Sequence, residues 1–308
     1  MIVPKKSASW YSVLFHLRGT IYEDIQWRLF VVVGNSILIT LLYKMFGNDG
    51  PWLSMIPFTL IGLVLSIFLG FRNNTSYDRF WEGRKLWGGV VNTARTITRR
   101  ILTLIEQTDE DSRHEYIRFV AAYVHLLRQH LRGKWNPEEV KHLLSEKDIE
   151  FLEDELNRPI ALLQRLADRF QVEYANGNIH PMHLPSLEQG LTDFTNLQGG
   201  CERIKSTPIP FSYNILLHRI VAIYCLMLPF GLVSLLGYET PIIVAFVGYA
   251  FLGIDALGDE IEEPFGHDDN DLPLNALTTM IEYNVRQRIP DEDLPALRTP
   301  NPVTRVLN

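Results

Sequence analysis

Between Asp255 and Asp271 the run DALGDEIEEPFGHDDND carries eight acids and no Lys or Arg. Clustered carboxylates beside turn carbonyls suit a hard cation such as calcium. The run lacks the alternating ligand spacing and terminal Glu of a twelve-residue calcium loop, and a solvated acidic turn has the same composition. His180-Pro181-Met182-His183 sets two histidines three apart, a spacing zinc can use. No third ligand stands nearby, and the proline disturbs a helical face. Arg72, Arg79, Arg95, Arg99 and Arg100 could attract anions, or pair with acids of their own domain. Leu63, Ile67 and Phe71 recur every fourth position and so share one face of a helix. Most such faces pack against other helices or lipid. Arranged around a symmetry axis, they would instead form apolar rings that ions cross only when the throat is wide enough to stay wet. No phosphate loop, nucleophile elbow or HExxH motif occurs, so catalysis has no foothold. The two cysteines exclude a disulfide framework.

The elements that must position these residues follow from where charge is missing. The mean hydropathy of +0.01 is high for a soluble enzyme, and the apolar residues are concentrated. Residues 29–43, 51–71, 220–238 and 240–254 contain no Asp, Glu, Lys or Arg. At 1.5 Å per residue the second run reaches roughly 31 Å, the thickness of a bilayer core. Gly62 and Gly70 within it would let neighbouring helices approach closely. The four runs form two close pairs, predicting two helical hairpins. Lys5, Lys6, Arg18 and Arg28 precede the first hairpin, Arg72, Arg79, Arg84 and Lys85 follow it, and Arg203 and Lys205 precede the second. Only Lys44 lies at a tip, so the positive-inside rule puts both termini and the long centre in the cytoplasm. No apolar stretch occurs before residue 29, which predicts no cleavable signal peptide.

Residues 72–219 hold 20 basic and 20 acidic residues, a balance expected of a folded, water-facing helical domain. One long helix is predicted to run on from the second span over 76–106. Asn136-Pro137-Glu138-Glu139 and Ser145 with Asp148 read as helix starts, and Asn176-Gly177-Asn178 as a break. The expected organisation is a cytoplasmic N-terminal segment 1–28, a hairpin 29–71 with spans near 29–46 and 52–71, a cytoplasmic helical domain 72–214, a second hairpin 215–257, and an acidic segment and tail 258–308. The formal charge of −7 argues against a nucleic-acid partner.

FLGFRNNTSYDRFWEGRKLW (68–87), TPIPFSY (207–213) and EEPFGHDDND (262–271), in this order and with this spacing of spans, resemble the bestrophin family, its short bacterial members above all. The resemblance implies an all-α membrane protein of the cell membrane, the inner membrane of a bacterium. It would have four transmembrane helices per subunit and a homopentamer around one axial pore. Leu63, Ile67 and Phe71 then fall on the family's apolar neck, and Met182, with Ile179 as competitor, on its cytoplasmic aperture. Asp268, Asp269 and Asp271 match three acids of the family's calcium clasp. His267 replaces an acid there, Asn270 interrupts the run, and Glu263 stands where Asn is usual. The implied activity is passive conduction of small monovalent ions with no cofactor required: chloride by family habit, or sodium and potassium in a cation-selective variant, since Ile67 replaces the usual Phe. The other reading, from a different class, is a membrane-anchored scaffold without flux. Its partners would bind the cytoplasmic helices, whereas the channel's partners are its ions, membrane lipid and its own copies.

Overall fold

The structure, a computed structural model, describes residues 1–2, 19–47, 52–106, 109–291, 293–302 and 305–307. Lys5, Lys6 and Arg18, which bear on the predicted orientation, lie outside these residues, as does most of the predicted segment 1–28. Among the described residues the α-helices are α1 (Tyr22–Phe46), α2 (Met55–Leu104), α3 (Glu110–Leu131), α4 (Glu146–Glu153), α5 (Arg158–Ala175), α6 (Leu184–Ser206), α7 (Phe211–Leu236), α8 (Thr240–Glu262) and α9 (Leu274–Arg286). Extended pairing is limited, among these residues, to isolated bridges between Ile2 and Val306 and between Ile105 and Ile179. Three helical stretches are long and apolar enough to cross a membrane: Tyr22–Phe46, Met55–Leu104 and Phe211–Glu262. The last contains both α7 and α8, separated by the single 3₁₀ turn Gly237–Glu239.

The chain forms two compact units. One comprises α1, the part of α2 up to Phe80, and Pro208–Glu263 with α7 and α8. Its core joins Ile25 and Val32 of α1, Phe58, Leu65 and Leu69 of α2, Val221 and Leu228 of α7, and Val244 and Leu252 of α8. Trp52 closes the α1–α2 connection by donating its indole N–H to the Gly47 carbonyl (2.5 Å), with its ring edge-on to Tyr43. All four helices also carry large exposed apolar residues, such as Phe30, Ile56, Ile223 and Phe246. Exposed apolar surface on this scale is stable only where the surroundings are apolar, as lipid or a partner subunit would be.

The other unit holds Trp81–Thr207 and the chain from Pro264 onward. Its centre is α3, most of whose residues from Tyr116 to Leu131 are buried, with α5, α6 and α9 packed around it. The buried stretch carries polar side chains among its apolar ones, and several of these find partners on the surrounding helices. The Tyr116 hydroxyl donates to Glu173 (2.6 Å), and that of Tyr123 to the Phe194 carbonyl (3.1 Å). Asp109 caps α3 by accepting the Ser112 N–H, and Ser145 caps α4 as its spacing predicts. The Asn136 start does not propagate: Pro137–Glu139 is one 3₁₀ turn. Gln129 holds both backbone groups of Asn136, and Glu139 is drawn to Arg128, so the turn is tied to α3 instead of opening a helix.

Glu282 of α9 is the polar hub of this unit. It receives His125 Nε2 and His142 Nε2, each at 2.8 Å, and Arg286 Nη1 at 2.7 Å; Arg286 also holds Asp291. Burial opposes ionisation of Glu282, but these donors outweigh it and hold the carboxyl well below its ordinary 4.5. Burial pushes His125 below its ordinary 6.5, against the pull of Glu282, and a proton on its Nδ1 would find no acceptor. Both shifts make the unfolded chain bind more protons than the folded one in acid, so stability falls with pH, first below 6.5 and again below 4.5. Melting temperatures of the purified protein across pH 4–8 should follow this course, and His125→Gln should flatten the upper limb. Glu282→Gln should cost about 3 kcal/mol, roughly 6–12 °C for a unit of this size.

Candidate pore face and its ionisable neighbours

α2 has two unlike faces in the apolar unit. Leu65 and Leu69 are 2% and 1% exposed, whereas Leu63, Ile67 and Phe71 are 63%, 51% and 63% exposed. The helical period thus buries one stripe within the chain and leaves the candidate neck residues on open surface. Gly62 makes the close approach expected of it: a Cβ there would lie 2.7 Å from the Tyr224 hydroxyl oxygen of α7. Gly70 faces open space instead, with nothing within 4 Å of a Cβ.

Directly after Phe71 stands a residue whose partners the sequence does not reveal. Arg72 is fully buried, and each of its three side-chain nitrogens has a partner. Nε donates to Asn214 Oδ1 (3.1 Å), Nη1 to the carbonyl (3.1 Å) and carboxylate (2.9 Å) of Asp255, and Nη2 to the Asp259 carboxylate. His218 Nδ1 lies 2.7 Å from the second Asp255 oxygen and its Nε2 3.4 Å from Asp259. His218, Asp255 and Asp259 bring potential ligand atoms within 4.8 Å of one another. The Arg72 guanidinium already binds both carboxylates, which makes the group an arginine-neutralised ion network in place of a metal cage. Asn214 continues the network to Glu262, which also accepts the Ile209 N–H and whose carbonyl receives Arg79. Helices α2, α7 and α8 are therefore pinned at the level where the charge-free runs end.

The structure separates the other predicted residues. Met182 is 77% exposed, whereas Ile179 is buried and held to Ile105 by a backbone bridge. Asp268 and Asp269 are exposed; Asp271 turns inward and accepts the Asp268 N–H (2.8 Å). Ahead of them Pro264 and Phe265 are buried against Gly83, where a Cβ would lie 3.1 Å from both rings, so the PFG segment is an anchor for the turn that carries the acids. The His180 and His183 rings lie 5.4 Å apart, and the Met182 N–H donates to His180 Nδ1. Of the five arginines, Arg72 and Arg79 are tied as described and Arg100 donates to the Ser186 carbonyl (2.7 Å). Arg95 and Arg99 remain exposed. Cys201 and Cys225 are buried free thiols, and burial pushes Cys201 up to about 12. The missed cluster has a sequence signal, an Arg and two Asp placed just outside charge-free runs. Their contact spans 183 and 187 residues of chain.

Long apolar helices with apolar outer faces, and an ionic clamp where their charge-free runs end, define a helical integral membrane protein. The sequence matches the family described as Bacterial/Fungal Bestrophin protein over residues 1–287. A Ralstonia nicotianae protein named as a voltage-dependent anion channel-forming protein is 38% identical over 295 residues, 95% of this chain and 96% of the relative. An Escherichia coli K12 protein with the same designation is 34% identical over 300 residues, 97% of this chain and 98% of the relative. A crystal structure of a bacterial bestrophin homolog from Klebsiella pneumoniae superimposes with a TM-score of 0.82 at 34% identity, covering 85% of this chain and 97% of that one. The chain belongs to the bestrophin family.

Removing Arg72 would leave the buried Asp255 carboxylate without its main counter-charge. Arg72→Met should destabilise the protein by about 3–5 kcal/mol. Adding Asp255→Asn should restore part of the loss by removing the stranded charge, as thermal melting of the detergent-solubilised protein would measure.

Proposed function

We propose that this protein is a passive channel for small monovalent ions, chloride foremost, formed by a homopentamer in the bacterial inner membrane. Four helices per subunit would cross the bilayer, with both termini cytoplasmic. Leu63, Ile67 and Phe71 from five copies would form three apolar rings around the axis. The observation that carries this reading is the exposed stripe itself, an apolar face left open by a helix whose opposite face is buried. The relatives named as anion channel-forming proteins support its use as a conduction path.

Rings without charge or hydrogen-bonding groups admit ions by wetting, and they discriminate by the cost of shedding water. A large, weakly hydrated anion loses least there. Met182 is the better candidate for the cytoplasmic aperture, because burial of Ile179 within its own subunit keeps it from lining a passage. Conduction needs no cofactor, and Asp268, Asp269 and Asp271 remain a proposed calcium-type site outside the conduction step. The relatives are named as channel-forming proteins and not as enzymes, in keeping with a sequence that lacks catalytic motifs.

Purified protein in planar bilayers under a tenfold salt gradient should show a reversal potential displaced toward that of chloride. Ile67→Ala and Phe71→Ala should raise conductance several-fold while the oligomer stays intact on size exclusion, since each widens a ring. Displacement toward the cation potential would instead assign a cation channel of the same architecture. Correctly assembled protein without current, with or without calcium, would overturn the channel reading in favour of a membrane-anchored scaffold.

A further inference from the structure

A cavity of about 370 Å³ lies in the unit built around α3, between the C-terminal part of α2 and the end of α9. Arg95 and Arg99, one turn apart on α2, line it together with Arg288, two residues beyond α9. All three are exposed, and among the described residues none has an ion-pair partner for its side chain. Among the described residues no Asp or Glu lines the space; Leu102 and Val285 give it an apolar wall. Three unneutralised guanidinium groups facing one cavity repel one another, an arrangement that an anion would relieve.

Thr98 adds a second feature to the cavity wall. A helical threonine ordinarily satisfies its hydroxyl by donating to the carbonyl four residues earlier, and Thr40, Thr59, Thr75 and Thr103 all do so here. Thr98 also lines the cavity, is 2% exposed, and its Oγ1 makes no hydrogen bond. A buried hydroxyl without a partner is unfavourable. The Oγ1 atom is itself closed to solvent, so an acceptor oxygen between the arginines would supply one once the Thr98 side chain turns to another rotamer.

We propose that this cavity binds a soluble organic phosphate, with the phosphate charges on Arg95, Arg99 and Arg288 and an apolar portion against Leu102 and Val285. Guanidinium forks match phosphate oxygens in pairs, and the volume exceeds what a single small ion needs and lies in the range of small-molecule sites. The site is separate from the neck residues and does not depend on which ion the channel conducts.

Calorimetric titration of the full chain in detergent with inorganic pyrophosphate, in about 0.15 M chloride to screen diffuse attraction, tests the proposal. Saturable binding is expected, tighter than for orthophosphate. Arg99→Ala and Arg288→Ala should each weaken it by roughly tenfold or more. Thr98→Val should weaken it about three- to tenfold at an unchanged or higher melting temperature, whereas a purely structural Thr98 would leave affinity untouched. Equal affinity in phosphatidylcholine nanodiscs with and without phosphatidylglycerol is expected of a site for soluble phosphate. Competition by that lipid would overturn this assignment. Absence of saturable heat from the intact oligomer, or binding unaffected by the arginine and threonine variants, would overturn the site altogether.

Discussion

The guanidinium of Arg72 is the constraint from which the apolar unit takes its shape. Burying an arginine is costly unless each donor finds an acceptor, and here the acceptors come from α7 through Asn214 and from α8 through Asp255 and Asp259. That requirement sets both the depth and the rotation of α2 against its neighbours. Because Phe71 precedes Arg72, the same rotation decides which residues of α2 turn away from the core. A clamp of this kind does not have to exceed a hydrophobic contact in net energy. It is specific because a rotated helix would leave several buried charges unpaired.

The unit built around α3 applies the same logic to charge-rich helices. Most of its central helix is buried, and polar groups there are met by partners from α5, α6 and α9. Glu282 draws three donors onto one carboxylate, and Gln129 and Arg128 capture the segment after α3 before it can begin a helix of its own. Where such partners are lacking, at Arg95, Arg99, Arg288 and the Thr98 hydroxyl, charge and an unused donor are left facing a cavity. The contrast lies in the clustering, since three arginines share one cavity that no described Asp or Glu lines.

The apolar stripe and the ionic clamp divide the labour of a membrane protein. Lipid offers no hydrogen bonds, so the backbone closes on itself in helices and ionisable groups retreat to their ends. The exposed Leu63, Ile67 and Phe71 share the chemistry of the other exposed apolar residues of that unit. What distinguishes them is their place on the helix that Arg72 orients.

The sequence alone pointed to a helical membrane protein, because its charge-free runs come as two close pairs, one run is long enough for a bilayer core, and helical periodicity is local. It also carried the family, through motifs such as EEPFG whose Pro264 and Phe265 prove to be anchors against Gly83. The common face of Leu63, Ile67 and Phe71 was legible for the same reason, since residues four apart share a helical face whatever surrounds them. Tertiary structure decided what depends on distant partners. It buried Ile179 and exposed Met182, reduced the start at Asn136 to one turn, and tied Arg72, Arg79 and Arg100 while leaving Arg95 and Arg99 open. Spacing along a chain reports local geometry. The partner of a charge on a helix end is chosen by packing across more than a hundred residues, which no local pattern records.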